Sequence, residues 1–155
     1  MMRNLFLWLL LASSTVSAEA RLQPFVSDSM TTIESRYSGR AFVVALWSVT
    51  CLPCLHELEL LASWSDKNPN IPLVLIATDG QTASTGVTQK LKDVGLDQAD
   101  NWIYADDYVE KLRFNIDPTW RGELPRSYLY SSTTERRAIS GALTLEKLQG
   151  YFGND

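Results

Sequence analysis

Ala41-Phe42-Val43-Val44-Ala45-Leu46-Trp47-Ser48-Val49-Thr50-Cys51-Leu52-Pro53-Cys54 is the stretch that decides the fold of this 155-residue chain. Up to Trp47 it is entirely apolar and rich in β-branched and aromatic side chains. Such a run suits a central strand buried on both faces, as parallel sheets require. From Leu52 to about Asp66 the pattern turns helical, with Cys54, Leu55, Leu58, Leu61 and Ala62 on one apolar stripe. Asn68-Pro69-Asn70 breaks that helix. The only two cysteines of the chain therefore stand where a strand gives way to a helix.

The flanking segments fit one layered domain. Downstream, Ile71–Ala77 is a second buried strand, with Pro72 tolerable near its start and Asp79-Gly80 ending it. Thr85–Val94 is a helix closed by Gly95. Trp102–Ala105 is a short strand and Tyr108–Phe114 a short helix. Arg126–Tyr130 and Arg136–Ser140 alternate like strands, and Thr144 caps a last helix through Tyr151. Lys147 at the third position precludes a capping box, whereas Glu146 suits the helix dipole. Upstream, a polar lead-in precedes a helix over Asp28–Tyr37 that ends at Gly39. After that helix the order is β-α-β-α-β-α-β-β-α, parallel crossovers first and an antiparallel hairpin last. This predicts an α/β three-layer sandwich, a mixed central β-sheet flanked by helices. The cysteine pair falls at the carboxyl end of a central strand, where open α/β sheets carry their sites.

The first residues have a different purpose. Arg3 supplies a positive start, Leu5–Ala12 a short apolar core, and Val16-Ser17-Ala18 a small-residue cleavage site, with Ala18-Glu19-Ala20 as the alternative. The apolar run is far shorter than the roughly 20 residues that span a bilayer. Residues 1–18 are thus an expected cleaved signal peptide, with cleavage after 20 the alternative, and no nearby cysteine offers a lipid anchor. Residues 19–155 form one domain of ordinary size. The full chain carries a net charge of −4, and losing Arg3 makes the remainder more acidic. No basic cluster interleaved with aromatics is present, which argues against nucleic acid as a partner. The expected location is periplasmic, or secreted where there is no outer membrane.

At the strand–helix junction Cys51 sits at or just before the first helical turn. Unpaired backbone N–H groups and the positive end of the dipole stabilise a thiolate there. A free thiol has a pKa of about 8.5, whereas helix-terminal Cys-X-X-Cys thiols fall to roughly 3.5–7.5. Cys51 is the expected nucleophile. Pro53, which lacks an N–H, suits the first turn. Cys54, one turn further in and on the apolar stripe, is the expected buried resolving thiol. In exchange, one thiolate attacks a partner disulfide, a mixed disulfide forms, and Cys54 displaces the reduced partner as the Cys51–Cys54 bond closes. The same steps run backwards in an oxidant.

Other uses of the motif fail on countable grounds. A four-residue loop closed as a structural staple contributes only about 2 kcal/mol, against ~3 for fifteen residues. A structural zinc site needs four ligands, and the chain has two cysteines and one histidine, His56. Haem attachment needs a histidine directly after the second cysteine, where Leu55 stands. The alternative function is a periplasmic copper or zinc metallochaperone using Cys51, Cys54 and His56, since soft thiolates suit Cu(I). A peroxidase is weaker still, because no proline-and-threonine peroxide-binding motif precedes Cys51. His56 itself fits an exposed helix position.

Trp47-x-x-x-Cys51-x-Pro53-Cys54-x-x-Glu57 resembles the active-site segment of the thioredoxin superfamily, and within it the TlpA/ResA-like exported thiol–disulfide oxidoreductases. The likeness extends over nearly all of residues 19–155 and implies a thioredoxin-like domain. Leu124-Pro125, just before the Arg126–Tyr130 strand, matches the family's cis-proline position. X–Pro is the one bond that goes cis at little cost. The resemblance implies that Leu124 offers main-chain hydrogen bonds to substrate, a small case of strand addition, and that Trp47, Pro53 and Pro125 border the client. It also implies that Glu57 is an active-site acid exchanging protons with Cys54. The implied activity needs no cofactor and no metal. The implied partners are exported proteins with cysteines or disulfides, such as clients of cytochrome c maturation, together with a membrane electron donor. Leu52-Pro53 places no histidine between the cysteines, which argues against a strong oxidant and for a reductant.

Three departures stand out. Thr50 replaces the second tryptophan that often precedes the cysteine, and Ala45 stands where thioredoxin proper has a buried aspartate. Asp117-Pro118-Thr119-Trp120-Arg121-Gly122-Glu123 is not the short glycine-rich lead-in usual before the cis-proline. Two roles stay open for it: Trp120, Arg121, Glu123 and Arg126 shape a docking surface, or Trp120 packs over the core.

Overall fold

The computed structural model describes residues 21–133 and 135–153. The expected signal peptide lies outside the described residues. Six strands form one sheet: β1 (Gln23–Phe25), β2 (Phe42–Trp47), β3 (Leu73–Gly80), β4 (Asp100–Tyr104), β5 (Arg126–Tyr130) and β6 (Arg136–Ser140). The helices are α1 (Ser29–Arg36), α2 (Leu52–Ser65), α3 (Ser84–Asp93), α4 (Val109–Ile116) and α5 (Leu145–Phe152), with a short 3-10 turn, Gln81–Ala83, ahead of α3.

The strand order is β1-β4-β3-β2-β5-β6. β1, β4, β3 and β2 run parallel to one another, while β5 is antiparallel to both β2 and β6. β2 is buried along its whole length, as its unbroken apolar run requires. Its alternate residues feed two cores. Val43, Ala45 and Trp47 join Cys54, Leu58 and Leu61 of α2, Val87 and Leu91 of α3, and Leu148 of α5. Phe42, Val44 and Leu46 join Met30 and Ile33 of α1 and Leu112 and Ile116 of α4 on the opposite face. The mixed sheet flanked by helices is the predicted three-layer sandwich.

Two elements differ from the sequence expectation. β1 lies in the segment read as a polar lead-in. It is three residues long, at the sheet edge, and contains Pro24, which an edge strand accommodates. β3 is shifted towards the carboxyl end: Pro72 stays outside it, its carbonyl accepting the Val43 N–H at 3.0 Å. The strand then continues through Asp79 and Gly80, with a register irregularity against β4 between Ala77 and Gly80. The other elements fall within two residues of their expected bounds. Thr144 caps α5, its Oγ1 accepting the Lys147 N–H at 3.2 Å.

Candidate active site

Cys51 is the N-cap of α2 in extended conformation, and Pro53 lies in the first turn. The Cys51 Sγ accepts the Cys54 N–H at 3.3 Å, so one of the orphan donors of the helix start points at this sulfur. The two cysteines are joined by a disulfide, S–S 2.02 Å. Cys51 is half-buried, whereas Cys54 is 1% exposed and belongs to the core under α2. The accessible sulfur is therefore that of Cys51, and the enclosed one that of Cys54, as their helical positions predict. Leu52 and Pro53 between them face outward, as does His56. Trp47 is 2% exposed and packs in the same core as Cys54.

The loop carrying Cys51 is tied to the end of β3. The Asp79 carboxylate accepts the Ser48 hydroxyl at 2.9 Å through one oxygen and the Val49 N–H at 3.1 Å through the other. Ser48 also accepts the Thr50 N–H at 3.2 Å, and its carbonyl accepts the Cys51 N–H at 3.1 Å. In the sequence Asp79 shows only as a strand terminator. The signal available was an acid at the carboxyl end of the strand next to the cysteine-bearing one, and that adjacency is not local in sequence.

The Leu124–Pro125 peptide bond is cis. β2 and β5 pair up to Leu46 and Arg126, so the cis bond directly precedes the last paired residue of β5. Leu124 packs against the core cluster that also borders Cys51 and holds Cys54. The Pro125 carbonyl accepts the Gly141 N–H at 3.0 Å. The Leu124 N–H and carbonyl make no hydrogen bond among the described residues.

Glu57 is 4% exposed. One carboxylate oxygen accepts the Ser127 hydroxyl of β5 at 2.9 Å, and the other accepts the Leu143 N–H at 2.7 Å. Burial pushes its pKa up, with those two donors and the charge of Lys147 pulling against it. Ser127 is the cross-strand partner of Ala45. The position without an acid on β2 thus faces a hydroxyl that holds an acid delivered from α2. Neither Ser127 nor the Leu143 N–H was identifiable from spacing, because both reach Glu57 from the far end of the chain.

In the Asp117–Glu123 segment, Trp120 is buried in the core beneath α4, and Arg126 is buried too, while Arg121 and Glu123 are exposed. Packing over the core is therefore the outcome for Trp120. Among the described residues no group of three or more His, Cys, Asp or Glu side chains is placed to hold a metal ion, and no helix is long and apolar enough to cross a membrane.

No protein-family model matches the sequence, and no curated protein matches it significantly. Solved structures do match in fold. A secreted Mycobacterium tuberculosis disulfide oxidoreductase homologous to Escherichia coli DsbE superposes with TM-score 0.59 at 19% identity, covering 75% of this chain and 82% of that one. StoA from Bacillus subtilis gives TM-score 0.54 at 22% identity, over 74% and 83% of the two chains. A putative thiol:disulfide interchange protein DsbE from Chlorobium tepidum gives 0.52 at 17% identity, over 73% and 76%. The fold of this chain is that of the thioredoxin-like proteins.

Proposed function

We propose that this chain is an exported thiol–disulfide oxidoreductase that exchanges disulfides with cysteines of other exported proteins through Cys51 and Cys54. The observation that carries the reading is the position of the disulfide: at the N-cap of α2, with Cys51 half-buried and Cys54 enclosed in the core cluster against which Leu124, of the cis Leu124–Pro125 bond, also packs. Such a start of a helix favours the Cys51 thiolate. The thiolate attacks the client disulfide, one client sulfur leaves as a thiolate, and Cys54 then attacks Cys51 to release the second. The client is left with two thiols and this chain with its disulfide. In this reading Glu57, three residues after Cys54 on α2, takes the Cys54 proton as that sulfur becomes the nucleophile. Leu124 offers the client its unpaired N–H and carbonyl.

The working direction is that of a reductant, fed by a membrane electron donor and serving clients such as those of cytochrome c maturation. No histidine stands between the cysteines to lower the nucleophile's pKa further, which supports this direction. The charged, apolar and small-residue pattern of residues 1–18 supports a periplasmic or secreted setting.

Single-cysteine variants test the assignment. Cys54→Ser should accumulate mixed disulfides with clients through Cys51, and Cys51→Ser should abolish insulin reduction. Equal residual turnover in the two would refute the roles given to the sulfurs. Measuring the equilibrium reduction potential against glutathione fixes the direction.

A further inference from the structure

The segment before the cis-proline is tied at both ends to a buried cation. Arg126, the residue after Pro125, has a side chain 9% exposed. One guanidinium nitrogen donates to Asp117 at 2.7 Å, at the start of the segment. Another donates to Glu123 at 3.5 Å, at its end, and to the Ser140 hydroxyl of β6 at 2.5 Å. The third donates to the Tyr128 hydroxyl at 3.2 Å. Ser140 in turn donates to Glu123 at 2.6 Å. The turn between is held as tightly: Asp117 accepts the Thr119 N–H and hydroxyl, and the Trp120 indole N–H donates to the Glu123 carbonyl at 2.9 Å.

The main chain of Arg121 is pinned on both sides. Its N–H donates to Glu123 at 3.2 Å, and its carbonyl accepts from Arg113 of α4 at 3.1 Å. Gly122 follows at φ 93° with the Arg113 guanidinium packed where a Cβ would sit. The Arg121 side chain, by contrast, is exposed and has no ion pair among the described residues. It stands three residues before Leu124, a span of at most about 10 Å of chain.

We propose that Asp117–Glu123 is a preformed docking wall for the client polypeptide, in which Arg126 is the positioning residue and Arg121 the contact side chain. The client lies extended along Leu124 and places an acidic residue, one or two positions from its cysteine, against the Arg121 guanidinium. This rests on the exchange activity proposed above. A clamp with both ends of the segment on one guanidinium fixes the Leu124 main chain in advance, so docking costs little further ordering. The chain as a whole is acidic, at net −4, and its overall field opposes an acidic client. Arg121, exposed and outside every ion pair among the described residues, is the local cation that would attract an acid against that field.

Kinetics on two probes separate docking from sulfur chemistry: insulin as the protein disulfide and hydroxyethyl disulfide as a small neutral one. Arg126→Lys keeps the charge but loses the forked grip on Asp117 and Glu123. It should raise KM for insulin about tenfold, leaving kcat and the small-disulfide rate within about twofold. Glu123→Ala, at the exposed end of the clamp, should act in the same direction and serves if Arg126→Lys fails to fold. Two synthetic disulfide peptides differing only in Glu or Lys beside the cysteine test the contact. The wild type should favour Glu by about 2–5-fold, the size of an exposed ion pair, and Arg121→Glu should reverse the order. Unchanged KM for insulin in the clamp variants, equal losses on both insulin probe and small probe, or a peptide preference that survives Arg121→Glu would each overturn the proposal. A wild type inactive on every probe would instead remove the exchange activity itself.

Discussion

Glu57 is a charge-bearing group held in the core by two donors, and its behaviour follows from that balance. Burial disfavours the carboxylate, so the folded protein keeps its proton to higher pH than an unfolded chain does. Between the ordinary glutamate range and this raised value, the unfolded state is ionised and the folded state is not. Stability therefore falls as pH rises through that window, and is level beyond it. Glu57→Gln should remove this slope from denaturation midpoints measured against pH. The amide oxygen can still accept the Leu143 N–H while its NH2 donates to the Ser127 hydroxyl, so both contacts survive as neutral ones and the variant should stay folded. The same variant should flatten the corresponding limb of the exchange pH profile. A profile that keeps its limb would leave Glu57 a structural acid.

Among elements, the junction of β2 and α2 depends on β3. Asp79 holds Ser48 and Val49 with two charge-assisted hydrogen bonds, and these are stronger than neutral ones. Asp79→Ala leaves the Val49 N–H without its acceptor and should lower stability by about 1–3 kcal/mol in denaturant titrations. Asp79→Asn should lose less, since one acceptor oxygen remains. No loss in either variant would mean that the Ser48 turn holds the cysteine loop unaided.

What the sequence revealed at this scale was whatever repeats along one element. The apolar run of β2, the stripe of α2 and the cap at Thr144 are local signals, and each element formed where those signals placed it. The N-cap position of Cys51 and the burial of Cys54 followed from the same local rule. What stayed hidden was set by pairing between distant segments. β1 has too few residues to show alternation and exists because β4 offers it an edge. Asp79, Ser127 and Leu143 gain their roles only once β3, β5 and the lead-in to α5 converge on α2. The Asp117–Glu123 segment looked irregular because the residue that organises it, Arg126, belongs to the next strand.

Across the whole molecule, the acid limb of stability should be governed by the Arg126 clamp. Burial would raise the Asp117 pKa, but the Thr119 hydrogen bonds and the Arg126 guanidinium outweigh it and hold the group near about 2. The carboxylate is thus favoured in the folded state, and its contribution is full above the ordinary aspartate range. It fades as pH falls from that range through about 2, a loss of about 2 kcal/mol. With Glu57 acting in the opposite sense above the ordinary glutamate range, stability should peak at mildly acidic pH. Asp117→Asn should blunt the acid limb in thermal melts against pH, and an unaltered limb would assign it to other carboxylates.

The sheet and the start of α2 together place the Cys51 sulfur at a helix N-cap, and its ionisation is what the proposed exchange chemistry requires. The direct measurement is the rate of alkylation of each cysteine in the reduced protein as a function of pH, resolved by mass spectrometry of the peptides carrying Cys51 and Cys54. Cys51 should react rapidly with a pKa well below the free-thiol value of about 8.5, while Cys54 stays protected across the same range. Two sulfurs reacting at similar slow rates, both titrating as free cysteine does, would contradict the account.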